Sequence, residues 1–352
     1  METGISNINV AVTGLLATDS PYPGLGIARC LKLADEFRGT ITGLVFEPLS
    51  TGVFSKGIID YAYIVPYPAA GHDALINRIE EIHRKTPLDV IIPALDSEVL
   101  LYARLQERLN GLGIQLLLPP ASQVKLRAKN LLYEFGLKNG IDVPKTLILN
   151  NVEEIRSKSA DIGIPFILKG VLSDARVCSS VEKGEAEYGS LFESWGYPVL
   201  MQHYITGDEF DVIALTDRQK TMIGAVAMKK VGLTEKGKAY AGVTIENQKL
   251  IKLTARVLRK LDWVGPAECE FIRDQKGSFH LIEVNSRFPS WLYLAAVAGQ
   301  NLPLLTVKLA LGLPVLPLKD YIAGKLFLRT VTDTVIDPHT LTELTVLGET
   351  AF

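Results

Sequence analysis

Two carboxylates, an amide and a guanidinium gather around one short turn near the C-terminal end of this chain. The segment reads Glu268-Cys269-Glu270-Phe271-Ile272-Arg273, then Asp274-Gln275-Lys276-Gly277, then Ser278-Phe279-His280-Leu281-Ile282-Glu283-Val284-Asn285-Ser286-Arg287. Its flanks alternate and are rich in aromatic and aliphatic residues, and its centre is a turn ending in Gly, which predicts a β-hairpin. Strand side chains alternate faces, so Glu283, Asn285 and Arg287 share one. A ladder closing evenly around the turn sets Leu281 opposite Glu270, with Glu283 on the diagonal. Glu268 has the parity of Glu270 and stays open as an alternative. Oxygen-only ligands of this kind suit Mg²⁺, which usually shares its shell with substrate phosphates. The plainer reading is a half-exposed hairpin with a polar wet side, and the motifs elsewhere in the chain weigh against it.

The elements that must position this hairpin fall into two patterns. Residues 8–14 form a short apolar strand running into a loop with Pro21, Pro23, Gly24 and Gly26, and a helix follows over 27–37. Further strands are expected over 40–46, 61–65, 88–93 and 114–118, with helices over 72–85 and 97–109. Short apolar strands alternating with helices predict a parallel sheet covered on both faces, with ligands at the carboxyl ends of its strands. Thr13-Gly14 and Pro93-Ala94-Leu95-Asp96-Ser97-Glu98 lie at such ends. The GxGxxG spacing of a dinucleotide site is missing there, and no clear acidic residue ends the second strand. Beyond residue 120 the pattern changes to α+β. It has a helix over 122–136, strands over 164–170, 198–205, 209–216 and 223–228, and a helix over 248–261.

Composition narrows the class. The 352 residues allow two or three domains. A hydrophobic content of 47% against 22% charged residues indicates a globular chain with a large core. A net charge of −2 suggests neither a nucleic-acid nor a membrane-surface partner. Cys30, Cys178 and Cys269 are isolated, so neither a zinc site nor a disulfide framework is expected, in keeping with a reducing cytoplasm. Neither a signal segment nor a membrane-spanning run is evident.

Taken in order, several pieces carry a resemblance. They are Arg127-Ala128-Lys129-Asn130 with Gly140-Ile141-Asp142-Val143-Pro144-Lys145-Thr146, then Pro165-Phe166-Ile167-Leu168-Lys169, then Met201-Gln202-His203-Tyr204-Ile205, then Gly207-Asp208-Glu209-Phe210, and the hairpin ending at Arg287. Each is weak alone, but their order and spacing resemble the ATP-grasp superfamily. They are most similar to the carbamoyl-phosphate-synthase-like branch of stand-alone carboxylate–amine ligases, from about residue 9 to 329. The resemblance implies an α/β N-terminal, Rossmann-like (pre-ATP-grasp) domain over 1–120 followed by an α+β ATP-grasp fold. The latter divides into a lid subdomain over 121–205 and a large subdomain over 206–352 with the metal and catalytic hairpin.

The same resemblance implies roles. Lys129 and Lys169 would bind the ATP phosphates, where a point charge serves well; on its own, Lys169 reads as a snorkelling strand-end lysine. Gln202, His203, Tyr204 and Ile205 would present backbone groups to the adenine edge, so that side-chain identity matters little. Glu209 would accept from the ribose hydroxyls. Glu270, Glu283 and Asn285 would hold Mg²⁺, or Mn²⁺ in its place. Arg287, with Lys169, would face the transferring group. Lys229, Lys230 and Lys238 flank a loop that lies near the acceptor in relatives, and read more simply as solvated. The lid loop after Lys169 departs from the family pattern, with Gly170 its single glycine. Arg176 is the candidate to replace the lost amide contacts to phosphate. A second departure, Phe288-Pro289-Ser290-Trp291, alters the acceptor pocket, and the apolar run Trp291-Leu292-Tyr293-Leu294 either lines a pocket for a bulky acceptor or, more simply, is helix core.

The implied reaction is ATP-dependent ligation of a carboxylate to an amine or thiol through an acyl phosphate, with ADP and phosphate released. The implied partners are small-molecule or peptide carboxylates and amines, with a homodimer left open. The alternative is a nucleotide-binding regulator with little turnover, motivated by the glycine-poor lid loop. A third option is a phosphotransferase that stops at a phosphorylated product.

Overall fold

Short buried runs alternating with helices build the first sheet. In the computed structural model, which describes residues 4–170, 174–234 and 237–352, these are β1 (Asn9–Val12), α1 (Gly24–Lys32), β2 (Thr40–Val45), β3 (Tyr61–Ile64), α2 (His72–Lys85), β4 (Val90–Ile92) and α3 (Asp96–Gly111). β1 lies parallel to β2 and β4, and β2 to β3. β1 and β4 are buried along their whole length, as a sheet with helices on both faces requires. The strand order 3-2-1-4 reverses direction between β1 and β4, so the crevice of this sheet opens at the ends of those two strands. A Cβ on Gly24 would fall 2.0 Å from the Thr13 carbonyl oxygen, so glycine is what lets α1 start against the end of β1.

The strand expected over 114–118 does not form; it contributes only a bridge between Val90 and Gln115. Pro119 and Pro120 follow it without N–H donors. The Leu117 carbonyl instead packs against Gly265, whose φ is +88° and where a Cβ would sit 2.3 Å from that oxygen. The segment is thereby pulled towards the third sheet.

The helix expected over 122–136 is broken. α4 (Ala121–Leu126) ends, Ala128 turns extended, and α5 (Lys129–Asn139) restarts with Lys129 at its first position. Next come β5 (Thr146–Leu149), α6 (Glu154–Ile162), β6 (Phe166–Lys169), β7 (Ala175–Cys178), α7 (Val181–Trp195) and β8 (Val199–His203). The strands make an antiparallel sheet of order β5-β8-β6-β7. One face buries Phe166, Leu168 and Met201 with Ile155 of α6 and Leu191 of α7. Alternation turns Lys169 and Gln202 to the other face.

The third sheet uses β9 (Gly207–Thr216), β10 (Met222–Leu233), β11 (Ala239–Thr244), β12 (Gly265–Asp274), β13 (Phe279–Asn285) and β14 (Leu326–Leu328), antiparallel in the order 13-12-9-10-11-14. α8 (Gln248–Lys260) buries Leu250, Thr254, Val257 and Leu258, one helical stripe. The Asn247 side chain caps it by accepting the Leu250 N–H at 3.0 Å. Beyond the hairpin lie α9 (Leu292–Val297), α10 (Leu302–Ala310), α11 (Pro338–Leu347) and β15 (Glu349–Ala351). β15 pairs antiparallel with β3, so the first sheet takes its fifth strand from the end of the chain.

The hairpin forms with a different register from the even closure expected. Phe271 pairs with Leu281, but Glu270 pairs with Glu283, leaving Ile282 as an extra residue between them. This is a β-bulge. The register nearest the turn, continued without it, would place Ile282 opposite Glu270 and send Glu283 to the other face. The bulge therefore sets the two carboxylates directly opposite each other, and Glu268 opposite Asn285.

Candidate active site

Cross-strand partners run Glu283–Glu270–Asp211–Met228 across four neighbouring strands. Side chains at paired positions share a face, so three carboxylates line up on one side of the sheet. Lys230, two residues beyond Met228, reaches into this row. Its Nζ lies 2.9 Å from Glu270, 3.1 Å from Glu209 and 3.3 Å from Asp211, with the side chain 6% exposed. Burial works against its charge, but the surrounding carboxylates of Asp211, Glu270 and Glu209 outweigh burial and hold it protonated. Burial likewise pushes Glu270 up, and Lys230, Lys129 and Arg287 overcome that to hold it below its ordinary range. Asp211 is pushed well up, first by burial and then by Glu270 and Glu268.

Lys230 is thus no solvated loop lysine. Lys229, by contrast, pairs with half-exposed Asp208, and Lys238 reaches Ser20. The signal available in sequence was the alternation of β9, which puts Glu209 and Asp211 on one face and demands a cation nearby. Removing one partner of a buried ionic cluster leaves the rest uncompensated. Lys230→Met is expected to destabilise the protein by about 3–5 kcal/mol in denaturant unfolding, with much of the loss recovered in Lys230→Met/Asp211→Leu. A single variant as stable as wild type would refute this.

Lys169 Nζ donates to Gln202 Oε1 at 2.9 Å, and Gln202 Nε2 donates to Thr146 Oγ1 at 2.8 Å. The expectation that Gln202 offers only its backbone is therefore corrected. Its amide and carbonyl are engaged in a strand flanked on both sides, and its buried side chain aims Lys169. Burial, then the neighbouring Lys129, lowers the Lys169 pKa to about 8 against the opposing pull of Glu283 and Glu270. Lys129 Nζ sits 3.2 Å from Glu283. His203 Nδ1 donates to the Ile162 carbonyl at 2.7 Å. Tyr204 and Ile205 lie between β8 and β9, outside either ladder.

Arg176 is not brought to this cluster. It pairs across the ladder with Leu168, on the helix-covered face, and is held by Glu187 and Ser190 of α7. One-residue alternation separates it from the face of Lys169. Residues 171–173 of the lid loop and 235–236 of the 231–241 loop lie outside the described residues.

Arg287 follows β13. Its Nε lies 2.8 Å from Asp96, and its Nη1 donates to Glu268 at 3.4 Å and to the Phe288 carbonyl at 3.2 Å. Asp96 also pairs with Arg127 Nη2 at 2.9 Å and accepts from Ser286. Burial raises the Asp96 pKa, but Arg287 and Arg127 outweigh it and bring it to about 2. Glu268 accepts from Trp291 Nε1 at 2.8 Å and from Asn285 at 3.0 Å, and burial followed by Glu270 raises it to about 7. Trp291 is core, as its apolar neighbours imply, but its indole N–H also serves Glu268. Glu98, at the carboxyl ends of β1 and β4, accepts from the Ala94 and Leu95 amides and from Thr13; burial raises it to about 7.

Among the described residues, no group of three or more His, Cys, Asp or Glu is gathered as a ready metal cluster. The donor set still fits a hard cation. Glu270 and Glu283 face each other with Asn285 two positions on, and Mg²⁺ needs only one or two carboxylates when phosphates complete its shell.

A family model described as "ATP-grasp in the biosynthetic pathway with Ter operon" matches residues 197–328, which run from β8 through the lysine–carboxylate row to β14. The chain has an ATP-grasp fold. The ATP-grasp fold extends well beyond that match. The biotin carboxylase domain of the Hydrogenobacter thermophilus 2-oxoglutarate carboxylase, solved with MgADP, ADP and bicarbonate, superimposes with a TM-score of 0.68 at 17% identity, over 86% of this chain and 69% of that one. The L-amino acid ligase of Bacillus licheniformis gives a TM-score of 0.64 at 16% identity, over 87% and 74%. In sequence, the arginine-specific carbamoyl phosphate synthase large chain of Geobacillus stearothermophilus is 25% identical over 208 residues, 53% of this chain and 19% of that one. The chain spans about a fifth of the length of the carbamoyl phosphate synthase chains it matches. No helix among the described residues is long and apolar enough to cross a membrane.

Proposed function

We propose that this ATP-grasp protein is an ATP-dependent ligase that joins a carboxylate to an amine, or less often a thiol, releasing ADP and phosphate. The observation that carries the reading is the mutual proximity of five groups from four segments. Lys129 Nζ lies 3.2 Å from Glu283, Glu283 faces Glu270 across the ladder, and the charge of both carboxylates bears on Lys169 and on Arg287. Cations from β6, α5 and the end of β13 thus surround a pair of facing carboxylates, an arrangement suited to a polyphosphate with its metal.

In this reading, a substrate carboxylate oxygen attacks the γ-phosphorus of ATP, and the bond to the β–γ bridging oxygen breaks, giving an acyl phosphate and ADP. The amine then attacks the acyl carbon, loses a proton and expels phosphate. Lys169 and Lys129 bind the phosphate oxygens, and Arg287 offsets charge on the transferring group. Residues 204–205 meet the adenine edge with their backbone, and Glu209 accepts from the ribose. Glu270, Glu283 and Asn285 would hold Mg²⁺, which supplies charge neutralisation at the phosphates when bound. The lid, about residues 130–202, closes over the nucleotide and excludes the water that would hydrolyse the intermediate.

The test is phosphate release from Mg-ATP against a library of amino acids, peptides and small carboxylates, with Glu283→Gln as control. Release that depends on a pair of additives and vanishes in the variant supports the ligase. A stable phosphorylated product formed without an amine points to a phosphotransferase. ATP binding without release in any mixture points to a nucleotide-binding regulator, and no ATP binding sinks the reading.

A further inference from the structure

Asp96 is the first residue of α3, at the carboxyl end of β4, yet its carboxylate is committed to residues far away in sequence. Oδ2 lies 2.8 Å from Arg287 Nε, and Oδ1 lies 2.9 Å from Arg127 Nη2. Oδ1 also accepts from the Ser286 amide at 3.3 Å and its hydroxyl at 3.1 Å. An acid here is ordinarily read as favouring the helix N-terminus. That duty falls to Glu98, which accepts the Ala94 and Leu95 amides. Asp96 is left to act across the sheets.

Its partner Arg127 closes the brace by donating to the Val284 carbonyl at 3.2 Å. The run Val284–Arg287 is therefore held by Asp96 at the start of α3 and Arg127 at the end of α4, at backbone, hydroxyl and guanidinium together. Arg287 Nη1 is held by Glu268 and the Phe288 carbonyl, and Nη2 takes part in none of these contacts. A planar guanidinium fixed at Nε and Nη1 has one orientation, which points Nη2 along a set direction.

We propose that Asp96 is a positioning residue that locks the Arg287 guanidinium for phosphoryl transfer, so that the N-terminal sheet sets the geometry of the reaction; this rests on the ligase reading above. A small misplacement of a charge-stabilising group can cost about 100-fold in rate. Asp96→Asn keeps the shape but turns an N–H group towards an arginine. It is expected to lower kcat about 10–100-fold with KM for ATP within about twofold. It should cost little more in an Arg287→Lys background, because Asp96 acts through that side chain. Unchanged kcat, or losses that multiply fully in the double variant, would overturn the proposal.

A readout free of turnover separates this from the ligase reading. In ¹⁵N spectra of the arginine Nε–H region, the Arg287 signal, assigned by its loss in Arg287→Lys, is expected to be sharp and protected from exchange. In Asp96→Asn it should broaden in protein that is still folded at the temperature of the measurement, with nucleotide affinity retained. A signal that stays sharp in Asp96→Asn overturns the positioning role even if the protein turns over nothing. A signal that broadens while no substrate pair releases phosphate sinks the ligase reading and, with it, the catalytic purpose of the lock.

Discussion

Arg287→Lys is expected to lower turnover about 10³-fold while leaving nucleotide bound. An arginine that stabilises charge on a transferring phosphoryl group is worth about 10³–10⁵ in kcat. Lysine keeps the positive charge but not the fork. The native side chain meets Asp96 through Nε and Glu268 through Nη1, one carboxylate at the start of α3 and the other on β12. A lysine ammonium can reach one of them, and whichever it reaches, it no longer presents Nη2. The charge retained between two buried carboxylates should keep the fold, which makes this a cleaner variant than alanine. The measurement is kcat from phosphate release once the substrate pair is known, beside the affinity for ADP by calorimetry. A fall confined to KM, or none at all, would remove Arg287 from the reaction.

Lys169→Met is expected to weaken binding of a non-hydrolysable ATP analogue roughly 50–100-fold, from the loss of one charge-assisted contact of about 2–3 kcal/mol. The same experiment carries a pH signature. Free Lys169 titrates at about 8, lowered first by burial and then by Lys129. Phosphates arriving beside it favour the ammonium form, so its pKa rises on binding. Affinity should then be flat below pH 8. Above it, affinity should fall about tenfold per pH unit, as each binding event has to take up a proton. Lys169→Met, lacking the titrating group, should bind weakly with no such slope between pH 8 and 9. A wild-type curve flat across that range would show that Lys169 does not contact the phosphates. Gln202→Leu is a useful companion, because it removes the carbonyl that aims the ammonium without touching the charge.

Much of the fold was open to reading because its signals are local. The alternation of short apolar runs with amphipathic helices identifies the first sheet and its parallel pairing, since a strand buried on both faces must be apolar throughout. The parity of Glu268 and Glu270 on one strand, and of Glu283 and Asn285 on the next, follows from the two-residue repeat of a strand, whereas Arg287 lies past the end of β13. The strand ending at Lys169 likewise followed from the sequence alone.

What the tertiary structure decided depends on which distant segments meet. The Ile282 bulge fixes the carboxylates as direct neighbours, and no residue pattern announces it. Lys230 looks like a surface lysine until β9 and β12 bring Glu209, Asp211 and Glu270 to it. Gln202 acquires a side-chain role only because β8 lies between β5 and β6. Asp96 and Arg287 are 191 positions apart in the chain (287 − 96) and meet because two sheets close on each other. Arg176 misses the cleft by a single step of alternation in the β6–β7 ladder. Side-chain periodicity is written into each segment, whereas register between segments and contact across sheets are settled only when the whole chain has buried its core.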